Sequence, residues 1–167
     1  MALRTIGTLA IAAAAGLALT GCMEGSGRNE AHVAPQIQRT GFGFFVMDEG
    51  PSVKLAYGQA NSDNVGLMLQ CRKGSRAVEI TEATGTPKTP RLTLISSGQS
   101  ANLKSRIESG EGSPVLVATA STTSPPLSAF RRSGGLEVVR SDGRYPLKAT
   151  ADERAGIEGF FAACERG

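Results

Sequence analysis

Three cysteines, one histidine and fifteen carboxylates carry whatever covalent, metal or acid–base chemistry this chain of 167 residues has. The histidine, His32, lies in the largely polar stretch 23–40 and reads as solvated. Beyond residue 40 there is none. That removes a Ser-His-Asp or Cys-His mechanism and leaves a zinc site without an imidazole. No G-x-S-x-G, S-x-x-K or Walker loop occurs, and no G-x-G-x-x-G. A carboxylate couple is the remaining route to hydrolysis. Asp48 and Glu49 are adjacent, so on a strand they point to opposite faces, and Gly50-Pro51 follows them. They read as a turn. The chain is expected not to be an enzyme, to hold no metal, and to need no cofactor beyond a covalent lipid.

The first cysteine, Cys22, follows a run of three parts. Met1–Thr5 carries one positive charge, Arg4; Ile6–Leu19 is apolar and free of charge; Thr20-Gly21 is small. This is the layout of a secretory signal peptide over residues 1–21. At 1.5 Å per residue the apolar run reaches about 21 Å, short of the roughly 30 Å hydrocarbon core. Leu19-Thr20-Gly21-Cys22 resembles the lipobox of bacterial lipoproteins. The resemblance implies cleavage before Cys22, a diacylglycerol on its sulfur and an acylated amine. Two or more acyl chains anchor a protein stably. It also implies outer-membrane sorting, facing the periplasm, because Met23 is not the Asp that often retains lipoproteins at the inner membrane.

Residues 22–40 then form a polar tether holding His32. As a flexible coil its 18 residues after Cys22 span roughly 25 Å, keeping the domain near its membrane. Residues 41–167 form a single domain by length.

Cys71 and Cys164 remain. An exported chain meets an oxidising compartment, where two leftover cysteines read as one disulfide. The elements that position them support this. In Asn64–Cys71 the residues Val65, Leu67, Leu69 and Cys71 share one face of a strand. Near the end, Thr150-x-x-Glu153 is a capping-box pattern that opens a helix over 151–164. Ile157, Phe160, Phe161 and Cys164 fall on one stripe of it. Both cysteines therefore face a core, and a bond between them pins the helix to the sheet.

The other runs are also strand-like. Gly43–Asp48, Ser52–Gly58, Arg76–Glu82, Arg91–Ser96, Pro114–Ala120, Gly135–Arg140 and Tyr145–Thr150 are short and separated by turn residues. Asn102–Glu108 has the weakest pattern, and Pro114–Ala120 is apolar enough for a central strand. Ser141–Arg144 carries an Asp-Gly hairpin signal. Pro125-Pro126 starts a short helical turn ending at Gly134. The fold class is mainly β: an antiparallel β-sandwich or open barrel with one C-terminal α-helix packed on the sheet.

Charge is nearly balanced, with 18 Lys and Arg against 15 Asp and Glu. Basic residues occur in pairs, with no Trp and no aromatic–basic interleaving, so nucleic acid is not an expected partner. Loops on a β framework carry recognition. The candidate partner-binding residues are Asn61, Ser62, Asp63 and Asn64, with Arg131 and Arg132, and further Lys88 and Arg91 in Thr84–Arg91.

The arrangement Tyr57-x-x-x-x-Ser62-Asp63, Cys71 and Phe160-Phe161-x-x-Cys164 resembles uncharacterised small envelope proteins of Gram-negative bacteria, a resemblance that implies no activity. Small lipidated barrels with a disulfide are also similar to periplasmic lysozyme inhibitors. That family carries Ser-Gly-x-x-Tyr, and here Ser97-Gly98, Ser109-Gly110 and Ser133-Gly134 lack the Tyr. The expected function is a membrane-anchored envelope lipoprotein with a non-catalytic binding or assembly role. Its expected partners are the membrane, through the lipid, and an envelope protein or peptidoglycan. The alternatives are an inhibitor or ligand-binding barrel and a carboxylate-only hydrolase.

Overall fold

Alternation of apolar and polar residues, interrupted by turns, produces nine strands among the described residues. The computed structural model describes residues 41–83, 89–109 and 113–166. Cys22, His32, Lys88, the signal peptide and the tether lie outside them. The strands are β1 (Phe42–Asp48), β2 (Ser52–Gln59), β3 (Val65–Arg72), β4 (Ala77–Ala83), β5 (Arg91–Ser96), β6 (Gln99–Ser109), β7 (Pro114–Ser121), β8 (Gly135–Arg140) and β9 (Gly143–Lys148). Helix α1 (Pro125–Ser133) precedes β8, and α2 (Ala151–Glu165) follows β9.

All pairings are antiparallel. The strands make one sheet in the order β1-β2-β3-β4-β7-β6-β5-β8-β9. The mainly β class with a C-terminal helix on the sheet is as expected. Of its two expected forms, the open barrel is the one found. Glu82 on β4 bonds Arg140 on β8 and Tyr145 on β9, although three strands separate β4 from β8 in the sheet. The sheet therefore curls back on itself.

The apolar Pro114–Ala120 run becomes β7, the middle strand of the nine. The weak Asn102–Glu108 pattern belongs to β6, the longest strand at 11 residues. Its first half pairs with β5 and its second with β7. Along β6 no residue is fully buried, so one-sided burial never imposed a strong alternation. The β8–β9 turn also differs slightly. Arg140 pairs with Gly143, so the two-residue loop is Ser141-Asp142, one step before the Asp-Gly pair.

The inward faces of β2, β3 and β4 bury Val53, Leu55, Leu67, Leu69, Cys71, Val78 and Ile80. Phe130 of α1 and Phe160 and Phe161 of α2 complete this core at zero exposure. The short helical turn expected after Pro125 is a helix of nine residues. Pro125 and Pro126 occupy its first positions, where a missing N–H costs nothing. It stops at Gly134, whose φ of 71° is left-handed and whose N–H donates to Phe130 O.

Helix α2 is held at both ends. Thr150 accepts from the Glu153 N–H at 3.4 Å, and Glu153 Oε2 accepts from the Thr150 N–H at 2.8 Å. This is the expected capping box. Glu153 also serves β1, where its Oε1 accepts the Phe44 N–H at 3.2 Å and satisfies an edge donor of that strand. The approach requires Gly43, where a Cβ would collide with the Glu153 carboxylate. We expect Gly43→Ala to cost about 1–2 kcal/mol in urea unfolding, and Glu153→Ala to erase that difference in a double-mutant cycle. Additive costs would refute the clash.

At the other end, the β3–β4 turn donates Gly74 N–H to Ala163 O and Arg76 N–H to Cys164 O. These bonds satisfy carbonyls that a helix end leaves open. Beside them Cys71 and Cys164 form the expected disulfide, with Cα atoms 5.8 Å apart.

Candidate functional site

Strict antiparallel alternation gathers particular loops at one end of the strands. The β2–β3 loop with Asn61–Asn64, the ends of β4 and β6, the starts of β5 and β7 and the Ser141-Asp142 hairpin all lie at that end. β1 also begins there. Two of the recognition segments expected from sequence, Asn61–Asn64 and Arg91, thus belong to the same end. Arg131 and Arg132 do not; they lie on α1.

The Asn61–Asn64 loop closes on itself. The Gln59 N–H donates to Asn64 O at 3.0 Å, and the Val65 N–H to Asp63 O at 3.0 Å. Ser62 Oγ donates to Gln59 O and accepts the Asn64 N–H. Asn61 takes a left-handed φ of 54°, which Asn tolerates better than most residues. All four residues are exposed, so the loop presents Asp63 and the side chains of Asn61 and Asn64 on a fixed frame.

Arg131 is engaged inside the protein. Its Nε donates to Glu158 at 2.7 Å and its Nη1 to Glu165 at 2.9 Å, both on α2. Its guanidinium lies 5.9 Å from the Phe161 ring centre. Hydrogen bonding to Glu158 raises the Arg131 pKa and lowers that of Glu158. Arg132, next to it, is exposed. Arg131 thus ties the two helices together.

The Asp48-Glu49 pair also spends its charge locally. Asp48 accepts from Lys73 at 2.8 Å and from the Gly50 N–H at 3.0 Å. Glu49 accepts from Lys54 at 2.8 Å. Hydrogen bonds from Lys73 and Gly50 hold the Asp48 carboxyl below its usual range. Glu49 opens the expected turn, and Asp48, the last residue of β1, braces it through the Gly50 N–H.

Beneath the loop end lies a polar group that no sequence motif marks. Glu82 is 1% exposed. Its Oε1 accepts from Arg140 Nη1 and from the Tyr145 hydroxyl, each at 2.8 Å, while Oε2 has no partner. Arg140 Nη1 also donates to Ala83 O, and its Nε lies 3.0 Å from Asp142. The Arg140 guanidinium sits 5.5 Å from the Tyr145 ring centre. Burial pushes the Glu82 carboxyl up to about 7, with the Tyr145 and Arg140 bonds opposing it. A signal for it does exist: Val78, Ile80 and Glu82 share one strand face, so the period that buries the first two buries the third.

Glu82 and Asp142 converge on one guanidinium, but a carboxylate this buried is out of a substrate's reach. The arrangement cross-links β4, β8 and β9. Among the described residues no group of three or more His, Cys, Asp or Glu forms a metal cluster. No protein-family model, curated protein or solved structure matches the chain.

Proposed function

We propose that this protein is a membrane-anchored lipoprotein of the bacterial envelope, with a non-catalytic role in binding or assembly. The observation that carries the reading is Leu19-Thr20-Gly21-Cys22 closing a short apolar run. The Cys71–Cys164 disulfide supports it, because such a bond forms in an oxidising compartment. The anchored chain faces the periplasm from the outer membrane. Its loop end, with Asn61–Asn64 and Arg91, receives an envelope protein or peptidoglycan. Loops on a rigid β framework are suited to this, since the frame fixes the shape that a partner meets.

The anchor has a direct test. In growing cells, labelled palmitate enters the wild-type chain and not Cys22→Ser. Equal labelling of both chains would dismiss the lipid and with it the address. The partner is sought by crosslinking the tagged wild-type lipoprotein in cells and identifying what it holds. Asp63→Lys in the exposed loop should weaken the capture of a specific partner without changing thermal stability. Undiminished capture would move the binding surface elsewhere on the domain.

A further inference from the structure

We infer that the corner of the domain formed by Phe45 and Met47 is a second membrane contact, resting on the bilayer that the lipid of Cys22 enters. This rests on the lipoprotein reading above. Phe45 and Met47 share the outer face of β1 and are 39% and 40% exposed, whereas Val46 between them points to the other face, toward Gly156 of α2. Asp48 is paired with Lys73 and Glu49 with Lys54, and the Glu153 carboxylate beside Phe45 is held by the Phe44 and Thr150 N–H groups. A corner of this kind costs little to bring to a lipid headgroup layer and gains from burying its apolar side chains there.

The geometry favours lipid over protein as the occupant. β1 is an edge strand, but another strand cannot pair with it along its length. Glu153 takes the Phe44 N–H, and Gly156 of α2 approaches Val46 so closely that a Cβ on it would lie 3.1 Å from Val46 Cγ2. Side by side on one face, Phe45 and Met47, each about two-fifths exposed, offer on the order of 150 Å², against the roughly 800 Å² per partner of a stable protein interface. A bilayer needs no such area, because the acyl chains already hold the domain at high local concentration beside it.

The chain length fits as well. Met47 lies six residues past Gly41, about 20 Å along the strand. The 18 residues between Cys22 and Gly41 extend to at most about 60 Å. The corner therefore reaches the surface without strain on the tether.

The chain contains no Trp, so Phe45→Trp or Met47→Trp creates a single fluorophore. Each lipidated variant, purified from membranes, is placed in vesicles of palmitoyl-oleoyl phosphatidylethanolamine and phosphatidylglycerol, with and without brominated acyl chains. Ile107→Trp on β6, also exposed at 45% but five strands away in the sheet, is the control. Quenching by bromine at positions 45 and 47, and not at 107, supports the contact. Two variants guard against one that fails to fold. No quenching at 45 and 47, with palmitate present on the same preparation, overturns the contact and leaves the anchor standing. A blue shift that grows with protein density but is not quenched means a second copy covers the corner, and also overturns it. Absence of palmitate removes both the anchor and the contact.

Discussion

Cys164→Ser lowers the stability of the domain by about 4–5 kcal/mol, the loss expected when a loop closed over a separation of 93 residues is released. Most single domains have only about 5–15 kcal/mol in total, so the variant is left marginal. Its Tm falls on the order of 10–20 °C. The bond matters more than an average cross-link because of what it joins. Helix α2 carries Gly156 and Gly159, each costing about 1 kcal/mol against Ala in a helix. An isolated helix of this length is marginal in water. Its fixed position depends on burying Ile157, Phe160 and Phe161, on the capping box at one end, and on the β3–β4 turn and the disulfide at the other.

Cys71 is 3% exposed and Cys164 is fully buried, so a reductant reaches the bond only when α2 detaches or the domain unfolds. In native buffer, dithiothreitol should leave it intact over hours, whereas in urea near the midpoint it should be reduced as fast as the domain opens. Urea unfolding of Cys164→Ser with an unchanged midpoint would refute the stability claim. Prompt reduction in native buffer would refute the closed packing of α2.

The pairing of Cys71 with Cys164 is legible in sequence because two periodicities meet: period two on β3 and the helical stripe on α2. Each places a cysteine inward. The capping box is legible for the same kind of reason, since Thr150 and Glu153 act within one turn. Barrel closure is not. Whether nine strands make two sheets or one curled sheet depends on how β6 divides its pairing between β5 and β7, and polar Gln99–Ser109 carries no pattern that says so. The bond from Glu153 to β1 is hidden too, because it needs β1 and α2, 109 residues apart in sequence, side by side. Arg131 shows the opposite hazard. As half of an exposed-looking basic pair it suggests a binding surface, but Glu158 and Glu165 lie one helix turn to either side of Phe161 and engage it. Charge partners on a distant helix are invisible to a local reading. Glu82 is readable in principle, but a charged residue on a buried face contradicts the simplest version of the strand pattern.

Glu82 makes the domain less stable at pH 8 than at pH 5, and Glu82→Gln removes most of that difference. The sign follows from the direction of the shift. Burial raises the carboxyl from 4.5 to about 7 in the folded protein. Between those values the folded state holds a proton that the unfolded chain has released, so raising the pH favours unfolding. Stability is fully present below about 4.5, is lost progressively up to about 7, and changes little from Glu82 beyond that. The whole loss is about 3 kcal/mol at most. The other shifted carboxyls, Asp48 and Glu158, are lowered and lie near the surface, so they act at the acid end and not in this window. Gln keeps the shape of Glu82 and an oxygen for the Tyr145 hydroxyl, and it behaves as the protonated acid does. Urea unfolding at pH 5, 6, 7 and 8 should therefore show a falling midpoint for the wild type and a nearly level one for Glu82→Gln. Parallel profiles would mean that Arg140 and Tyr145 keep the carboxylate ionised across the range. The consequence is local to the loop end. Ionising Glu82 leaves a charged Oε2 without a hydrogen-bond partner in the core, directly under the ends of β4, β8 and β9. Opening those strand ends lets water reach the charge, so the end of the barrel that presents Asn61–Asn64 is the part that loosens as the pH rises.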